Sequence, residues 1–192
     1  MNPMPPSPQI DDFSADAAED PDSLSFILTH DMGITIDAHG DDPRWQAVLT
    51  DDFQSRMIAI IGTAMVSEGH QNIDIAILFS TAEKLAALNE AHRQKTGTTD
   101  VLSFPADDDD FLGDIAIAYE VMATQAQDMG ISLEDHCLHL LLHGALHLSG
   151  HDHIDDEDAA VMEGLEIKIL DQFGIANPYD QDNGQDSNGD AS

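Results

Sequence analysis

The stretch HCLHLLLHGALHLSGHDH, residues 136–153, contains six of the chain's ten histidines. Ser132 precedes it as a favourable N-cap, and two acidic residues follow in the first turn, where they stabilise the helix dipole. We therefore predict a helix over residues 132–149. Gly150 is expected to end this helix, because glycine readily adopts the left-handed backbone that turns a chain out of a helix.

Three of these histidines have the spacing of a metal site. His143 and His147 are four residues apart, so a helix projects both imidazoles from one face, about one turn apart. His153 follows the turn at Gly150 and can fold back toward the same point. Three imidazole ligands with a fourth position left open are typical of a catalytic zinc site, whereas structural sites are closed by four protein ligands. The pattern H-x3-H-x5-H therefore predicts one Zn2+ per chain.

The other polar residues of this stretch have weaker assignments. His139 lies one turn before His143, where it is either a hydrogen-bond partner of the site or a packed helix residue. Asp152 either orients a ligand imidazole or is an exposed loop acid. We expect His136 and His151 to face solvent.

The rest of the sequence predicts an α+β fold with a mixed sheet of about four strands packed with helices. Short runs rich in β-branched and aromatic residues indicate the strands, and apolar residues at helical spacing indicate the helices. The predicted strands are residues 23–30, 72–80, 101–105 and 112–118. The predicted helices, besides the histidine helix, are about 44–68, 81–93, 119–129 and 155–173. The acidic loop at 106–110 would join two strands as a hairpin.

The two ends differ in composition from the body between them. Residues 1–22 and 177–192 are acidic and poor in apolar residues, so they bury too little surface to offset the entropy of ordering. We predict disordered acidic tails there and a single domain over residues 23–176, with the zinc-binding helix in its C-terminal half. The lone cysteine excludes an intrachain disulfide and no long apolar run indicates a membrane span, so we expect a cytoplasmic protein.

The net charge limits the partners that the sequence favours. The chain carries 38 acidic and 6 basic residues, a formal net charge of -32. Ten of the acids lie in the two predicted tails, which leaves about -22 on the body. A body of this charge repels polyanions at long range, so electrostatics alone does not favour nucleic-acid binding. Solubility in a salty or acidic habitat is the simpler explanation of the acidity.

Three blocks of the sequence resemble the bacterial YbeY endoribonuclease family. HGALHLSGHDH (143–153) is similar to the family signature and departs from it only at His151, where the family usually has tyrosine. LNEAHRQKTGTTDVLSFP (88–105) and LGDIAIA (112–118) resemble two further blocks of the family. The resemblance spans about residues 70–173.

This resemblance implies a zincin-like fold and a single-strand-specific, metal-dependent endoribonuclease. The implied role is 3′-end maturation of small-subunit (16S) ribosomal RNA and ribosome quality control, with zinc on His143, His147 and His153. Arg93 matches a functionally important arginine of the family and is assigned to substrate binding at the catalytic site, since a guanidinium can donate two hydrogen bonds to a phosphate. The implied partners are ribosomal RNA and small-subunit ribosomal proteins, and neither a membrane nor DNA is expected.

Two other functions remain open. H-x3-H on a helix also begins the H-E-x-x-H motif of zinc peptidases, but Gly144 stands where that motif has its general base. A peptidase would need Glu120 or Asp152 in that role. In the other alternative, zinc only locks the helix to the following loop in a non-catalytic ribosome-associated factor.

Overall fold

The computed structural model describes residues 24–93, 99–153 and 155–180, except for the side chains of residues 92 and 93. They form an α+β domain, as the sequence predicted. The strands are β1 (Leu24–Thr29), β2 (Thr35–Gly40), β3 (Asp74–Ser80), β4 (Val101–Pro105) and β5 (Phe111–Ala118). The helices are α1 (Asp51–Ser67), α2 (Ala82–Arg93), α3 (Tyr119–Met129), α4 (Leu133–Leu148) and α5 (Asp156–Gln172).

The mixed sheet has five strands in the order β1-β2-β3-β5-β4, one more than predicted. β3 pairs in parallel with β2 and β5, while β1 and β4 are antiparallel edge strands. The missed strand is β2, TIDAHG, which contains aspartate and glycine, two residues that are depleted in strands. Its signal was the alternation of buried Ile34, Ile36 and Ala38 with half-buried neighbours.

The predicted hairpin is present, whereas the first predicted helix is shorter than expected. β4 and β5 pair antiparallel across the acidic loop. The helix predicted from Arg44 begins at Asp51 instead, after a short 3-10 turn over Pro43–Ala47. The break occurs because Thr50 caps α1, its side chain accepting a hydrogen bond from the Phe53 amide.

Helix α4 lies on one face of the sheet, inside the main core. Its apolar face, which includes Leu141, Leu142 and Ala145, joins residues of α1, α5 and the sheet in one buried cluster. A smaller cluster around Leu85 and Leu102 lies on the opposite face, under α2. Each fully buried leucine contributes about 1.5–3 kcal/mol, so α4 is a firmly held element on which functional side chains can be placed.

The two predicted tails lie almost entirely outside the described residues. Residues 1–22 and 181–192 are not described, and residues 177–180 form a turn after α5. None of the described helices is both long and apolar enough to cross a lipid bilayer.

Candidate metal centre

The ends of α4 lie close to where the sequence predicted them and fix the positions of two histidines. The Ser132 side chain caps the helix by accepting a hydrogen bond from the Asp135 amide. The helix continues to Leu148, so His143 and His147 lie one turn apart on the same face. Their ring centroids are 4.6 Å apart.

A tight turn brings His153 back to this face. Gly150 has a φ of +94°, a left-handed conformation that residues with side chains rarely adopt. After this turn, the ring of His153 lies 5.4 Å from that of His143 and 5.0 Å from that of His147. One ring nitrogen of each histidine lies within 4.8 Å of the other two. The structure thus brings the three predicted residues together at one point.

Hydrogen bonds fix one nitrogen in two of these imidazoles. Nδ1 of His147 is 2.9 Å from the His151 carbonyl and must donate, because a carbonyl oxygen can only accept. Nδ1 of His143 donates to the Glu166 carboxylate over 2.8 Å. A neutral imidazole carries a proton on one nitrogen only, so Nε2 of both rings has a free lone pair.

The two free nitrogens point at the same place. Nε2 of His143 and Nε2 of His147 are 3.1 Å apart. Two lone pairs at this distance repel each other unless a cation lies beside both or one ring is protonated and donates to the other. Two imidazole nitrogens bound to one tetrahedral zinc lie about 3.3 Å apart. The donor set therefore fits a transition-metal ion, since imidazole is a preferred ligand of zinc and its neighbours.

The protonation states of the site favour metal binding. Burial, together with the neighbouring His143, lowers the pKa of His147 and so favours its neutral form. Glu166 is fully buried, which opposes ionisation, but hydrogen bonds from His139 and His143 outweigh this and lower its pKa to about 2. Glu166 is therefore a carboxylate at neutral pH and accepts both hydrogen bonds.

The three histidines line an open cleft of about 710 Å³. Its other walls are alternate residues along the whole of β4, preceded by Thr99 and Asp100, and the turn after α4. Asp100 accepts a hydrogen bond from Gln125 over 2.9 Å, which holds its carboxylate against α3. Asp152 is exposed and accepts a hydrogen bond from the His153 amide over 2.7 Å, so it contacts the backbone of His153.

Arg93, the predicted phosphate-binding residue, is the last residue of α2, and its side chain lies outside the described part of the chain. Thr99, the next residue that is described, lines the cleft. The role assigned to Arg93 stays a prediction.

The general base of a zinc peptidase would be crowded at its usual position. A Cβ on Gly144 would lie 3.1 Å from side-chain atoms of both Ser103 and Ile115, because α4 packs closely on the sheet there. The alternative base, Glu120, accepts a hydrogen bond from the Ala82 amide at the start of α2 and does not line the cleft. These contacts disfavour position 144 and Glu120 as the base of a peptidase, whereas Asp152, the other candidate, lines the cleft.

Two residues of the site were not predicted from the sequence, Glu166 and Tyr179. Glu166 accepts hydrogen bonds from His139 over 3.3 Å, from His143, and from the Tyr179 hydroxyl. The available signal for Glu166 was a lone carboxylate on the buried side of α5. Tyr179 had no such signal, because it follows α5 in a segment of polar composition.

Of the two histidines that were expected to face solvent, one is buried and the other is partly exposed beside the cleft. His136 is only 4% exposed, and its Nε2 donates to the Gln125 amide oxygen over 2.9 Å. Burial, with His139 nearby, lowers the pKa of His136 to about 4. His151 is half-buried, with its Nε2 2.8 Å from the Glu68 carboxylate at the end of α1. The prediction for His136 was wrong because α3 covers this part of α4, and His151 is only partly exposed because the end of α1 lies beside the turn.

Comparison with known proteins identifies the family. The family model described as Endoribonuclease YbeY matches residues 41–174. The chain is 46% identical to Endoribonuclease YbeY of Erythrobacter litoralis over 123 residues, which cover 57% of this chain and 76% of that protein. It is 38% identical to Endoribonuclease YbeY of Ruegeria pomeroyi over 167 residues, which cover 76% of this chain and 98% of that protein.

Among solved structures, the solution structure of TM1509 from Thermotoga maritima aligns with a TM-score of 0.48 and 19% sequence identity, covering 81% of this chain and 99% of that chain. The assignment depends on the sequence matches alone, since they extend over most of the domain that contains the histidine cluster. The three sequence blocks had predicted the same result: the chain belongs to the YbeY endoribonuclease family.

Proposed function

We propose that this chain is a zinc-dependent endoribonuclease whose metal ligands are His143, His147 and His153. The observation that supports the metal most strongly is the pair of Nε2 atoms 3.1 Å apart, each of which carries a lone pair when its ring is neutral, because the one ring proton is then used at Nδ1. Membership of the family supports RNA as the substrate class.

The chemistry would be shared between the metal and the protein. When bound, a divalent cation at the cluster would act as a Lewis acid toward a phosphoryl oxygen. Arg93 would neutralise charge on the same phosphate, because its guanidinium stays charged at any working pH and can donate two hydrogen bonds. Its position at the end of α2, shortly before the cleft-lining Thr99, supports this assignment.

The proposed substrate is single-stranded RNA, at the 3′ end of 16S ribosomal RNA, in ribosome maturation and quality control in the cytoplasm. The volume of the cleft, about 710 Å³, is in the range of about 300–1,000 Å³ that is usual for small-ligand pockets. Such a cleft suits a short unpaired stretch better than a duplex. The catalytic domain would be residues 23–176.

Ribosomal proteins are proposed as partners because the described surface offers RNA few free cations. Of the four lysine and arginine side chains that are described, three form salt bridges with acids: Arg44 with Asp42, Arg56 with Asp135, and Lys84 with Asp41. A strongly acidic body would dock on basic proteins and meet RNA only at the cleft. We expect generic RNA to bind weakly at physiological salt when no partner is present, and tight binding in a filter assay would contradict this docking mode.

The test combines metal content with cleavage. Untagged wild-type protein should contain one zinc per chain by elemental analysis and cut a single-stranded RNA oligonucleotide faster than the same sequence in a duplex. His147→Ala should lose both metal and cleavage, because it removes a ligand. Arg93→Ala should keep the metal and lose cleavage, which a purely structural zinc would not explain.

Two results would overturn the proposal. A wild-type protein that takes up no divalent metal even when it is added would remove the metal site. A metal-loaded wild-type protein that cleaves no RNA would leave the cluster as a structural site. Where RNA is cleaved, analysis of the product ends separates attack by water from attack by the 2′-hydroxyl of the substrate, since only the second leaves a cyclic phosphate.

A further inference from the structure

Glu166 is a charged residue in an unusual place. It lies in the middle of α5 and is fully buried, with 0% of its surface exposed. A buried carboxylate is strongly destabilising unless several donors compensate for its lost hydration. This carboxylate therefore needs several hydrogen-bond donors around it.

Three donors from two other parts of the chain converge on this carboxylate. His143 Nδ1 donates to Oε1 over 2.8 Å, and His139 Nε2 lies 3.3 Å from Oε2. The hydroxyl of Tyr179 also donates to Oε2. One carboxylate oxygen thus serves the proposed metal ligand, and the other is held by His139 and Tyr179.

The contact with His143 determines what that imidazole can do. With Nδ1 donating to Glu166, the ring cannot take the other neutral tautomer, and its Nε2 keeps a lone pair facing His147. The hydrogen bond also fixes the rotation of the ring about its side-chain bond. Carboxylate partners of this kind orient metal-binding histidines and make them more basic ligands.

Tyr179 connects this arrangement to the segment after α5. Its backbone N–H donates a hydrogen bond to Oδ1 of Asn177 over 2.9 Å, which fixes the turn. Its ring packs edge-on against His139 with 5.8 Å between centroids. The turn therefore closes the side of Glu166 that α4 does not cover.

We propose that Glu166 is the positioning residue of the metal centre and that Tyr179, in the turn after α5, holds Glu166 in place. This inference depends on the metal site proposed above. If so, zinc affinity depends on two residues outside the three-histidine motif, Glu166 in α5 and Tyr179 in the turn after α5.

The experiment compares zinc affinity in Glu166→Gln and Tyr179→Phe, measured by competition with a chromogenic chelator. Loss of an outer-shell partner typically lowers metal affinity by about 10–100-fold, and we expect Glu166→Gln to fall in this range. Tyr179→Phe removes one of three donors and should lower the affinity by less than about tenfold.

The matched controls are Asp171→Asn, an exposed acid of the same helix, and Tyr119→Phe, the chain's other tyrosine. Both controls should bind zinc as the wild type does.

A second readout separates positioning from folding. Long-range proton–nitrogen correlation spectra of the metal-free protein report which nitrogen of His143 is protonated. We expect Nδ1 to be protonated in the wild type and a mixture of the two tautomers in Glu166→Gln. A substitution that only loosened the core would lower the melting temperature and leave the tautomer unchanged. If Glu166→Gln does not fold, the zinc affinity of Tyr179→Phe and the His143 tautomer in that protein test the positioning role instead.

The outcomes distinguish this inference from the metal proposal itself. Failure of the wild type to bind zinc removes both. Zinc binding by the wild type with unchanged affinity and tautomer in Glu166→Gln overturns only the role of Glu166. A Tyr179→Phe protein that binds zinc as the wild type does, beside a weakened Glu166→Gln, overturns the role of the C-terminal turn.

Discussion

The two halves of α4 carry similar histidines and use them differently. His136 and His139 lie in the first half of the helix, and His143 and His147 lie in the second half. All four follow spacings of three or four residues, so they lie along one face of the helix, with 4.6–6.4 Å between successive ring centroids. The sequence pattern alone therefore does not distinguish the two pairs.

The difference lies in the second nitrogen of each ring. In the first half, Nδ1 of His136 and Nδ1 of His139 are buried and have no hydrogen-bond partner among the described residues. In the second half, Nδ1 of each ring is bonded and Nε2 is free beside the cleft. A histidine is suited to hold a metal where one nitrogen is fixed and the other is both free and accessible.

The largest expected effect is on metal binding when the same substitution is made in each half. His143→Gln removes a proposed ligand and should lower zinc affinity by at least about 100-fold, more than the loss of an outer-shell partner. His136→Gln should stay within about threefold of the wild type, because that ring does not face the cleft. Chelator competition on both purified proteins measures the difference. Equal zinc affinities of the two variants would contradict the conclusion that only the second half of α4 holds the metal.

The second half of the helix packs closely on the sheet at Gly144, and Gly144→Glu tests this contact. Even the Cβ would lie 3.1 Å from Ser103 and Ile115, so we expect the free energy of unfolding to fall by about 3 kcal/mol. Introducing H-E-x-x-H should not create peptidase activity. The control is Gly164→Glu in α5, where a Cβ would meet nothing within 4 Å. It should be neutral or slightly stabilising, since glutamate is the better helix former. Urea denaturation measures the free energy of unfolding of both variants. If Gly144→Glu were as stable as Gly164→Glu, the close packing at Gly144 would be contradicted.

Features with local causes could be predicted from the sequence. The cap at Ser132, the turn at Gly150 and the four-residue spacing of His143 and His147 each depend on a few neighbouring residues. The helices around the site and the hairpin of β4 and β5 followed from the same kind of local signal.

Features that depend on distant contacts could not be predicted. Glu166 reaches His143 only after α5 packs on α4, and Tyr179 reaches Glu166 only after the chain turns back from α5. The burial of His136 likewise requires α3 to be in place, since its partner Gln125 belongs to that helix. Strand β2 had only a short apolar alternation as its sequence signal, and its parallel pairing with β3 supplies the contacts that make it a strand.

A smaller effect is expected of pH on the free energy of unfolding, and it arises from His136 in the first half of α4. Burial lowers the pKa of His136 to about 4, below the value of about 6.5 in an unfolded chain. Between these pH values the unfolded chain binds a proton that the folded protein does not, so acidification lowers the free energy of unfolding. From pH 7 to pH 5 the metal-free wild type should lose about 2 kcal/mol more than His136→Gln. Urea denaturation at both pH values measures this, and parallel losses in the two proteins would rule out His136 as the cause.

The smallest expected effect separates the stability of α4 from its function. Ser132→Ala removes the N-cap and should lower the free energy of unfolding by about 1 kcal/mol. Ser55→Ala, the same change at an exposed position inside α1, should be neutral or slightly stabilising, because alanine is the better helix former. Fraying at Ser132 reaches only the first turn, whereas Glu166 and the core hold the second half of the helix. Zinc affinity should therefore be unchanged in both variants, and a loss of affinity in Ser132→Ala would show that the two halves of α4 are coupled.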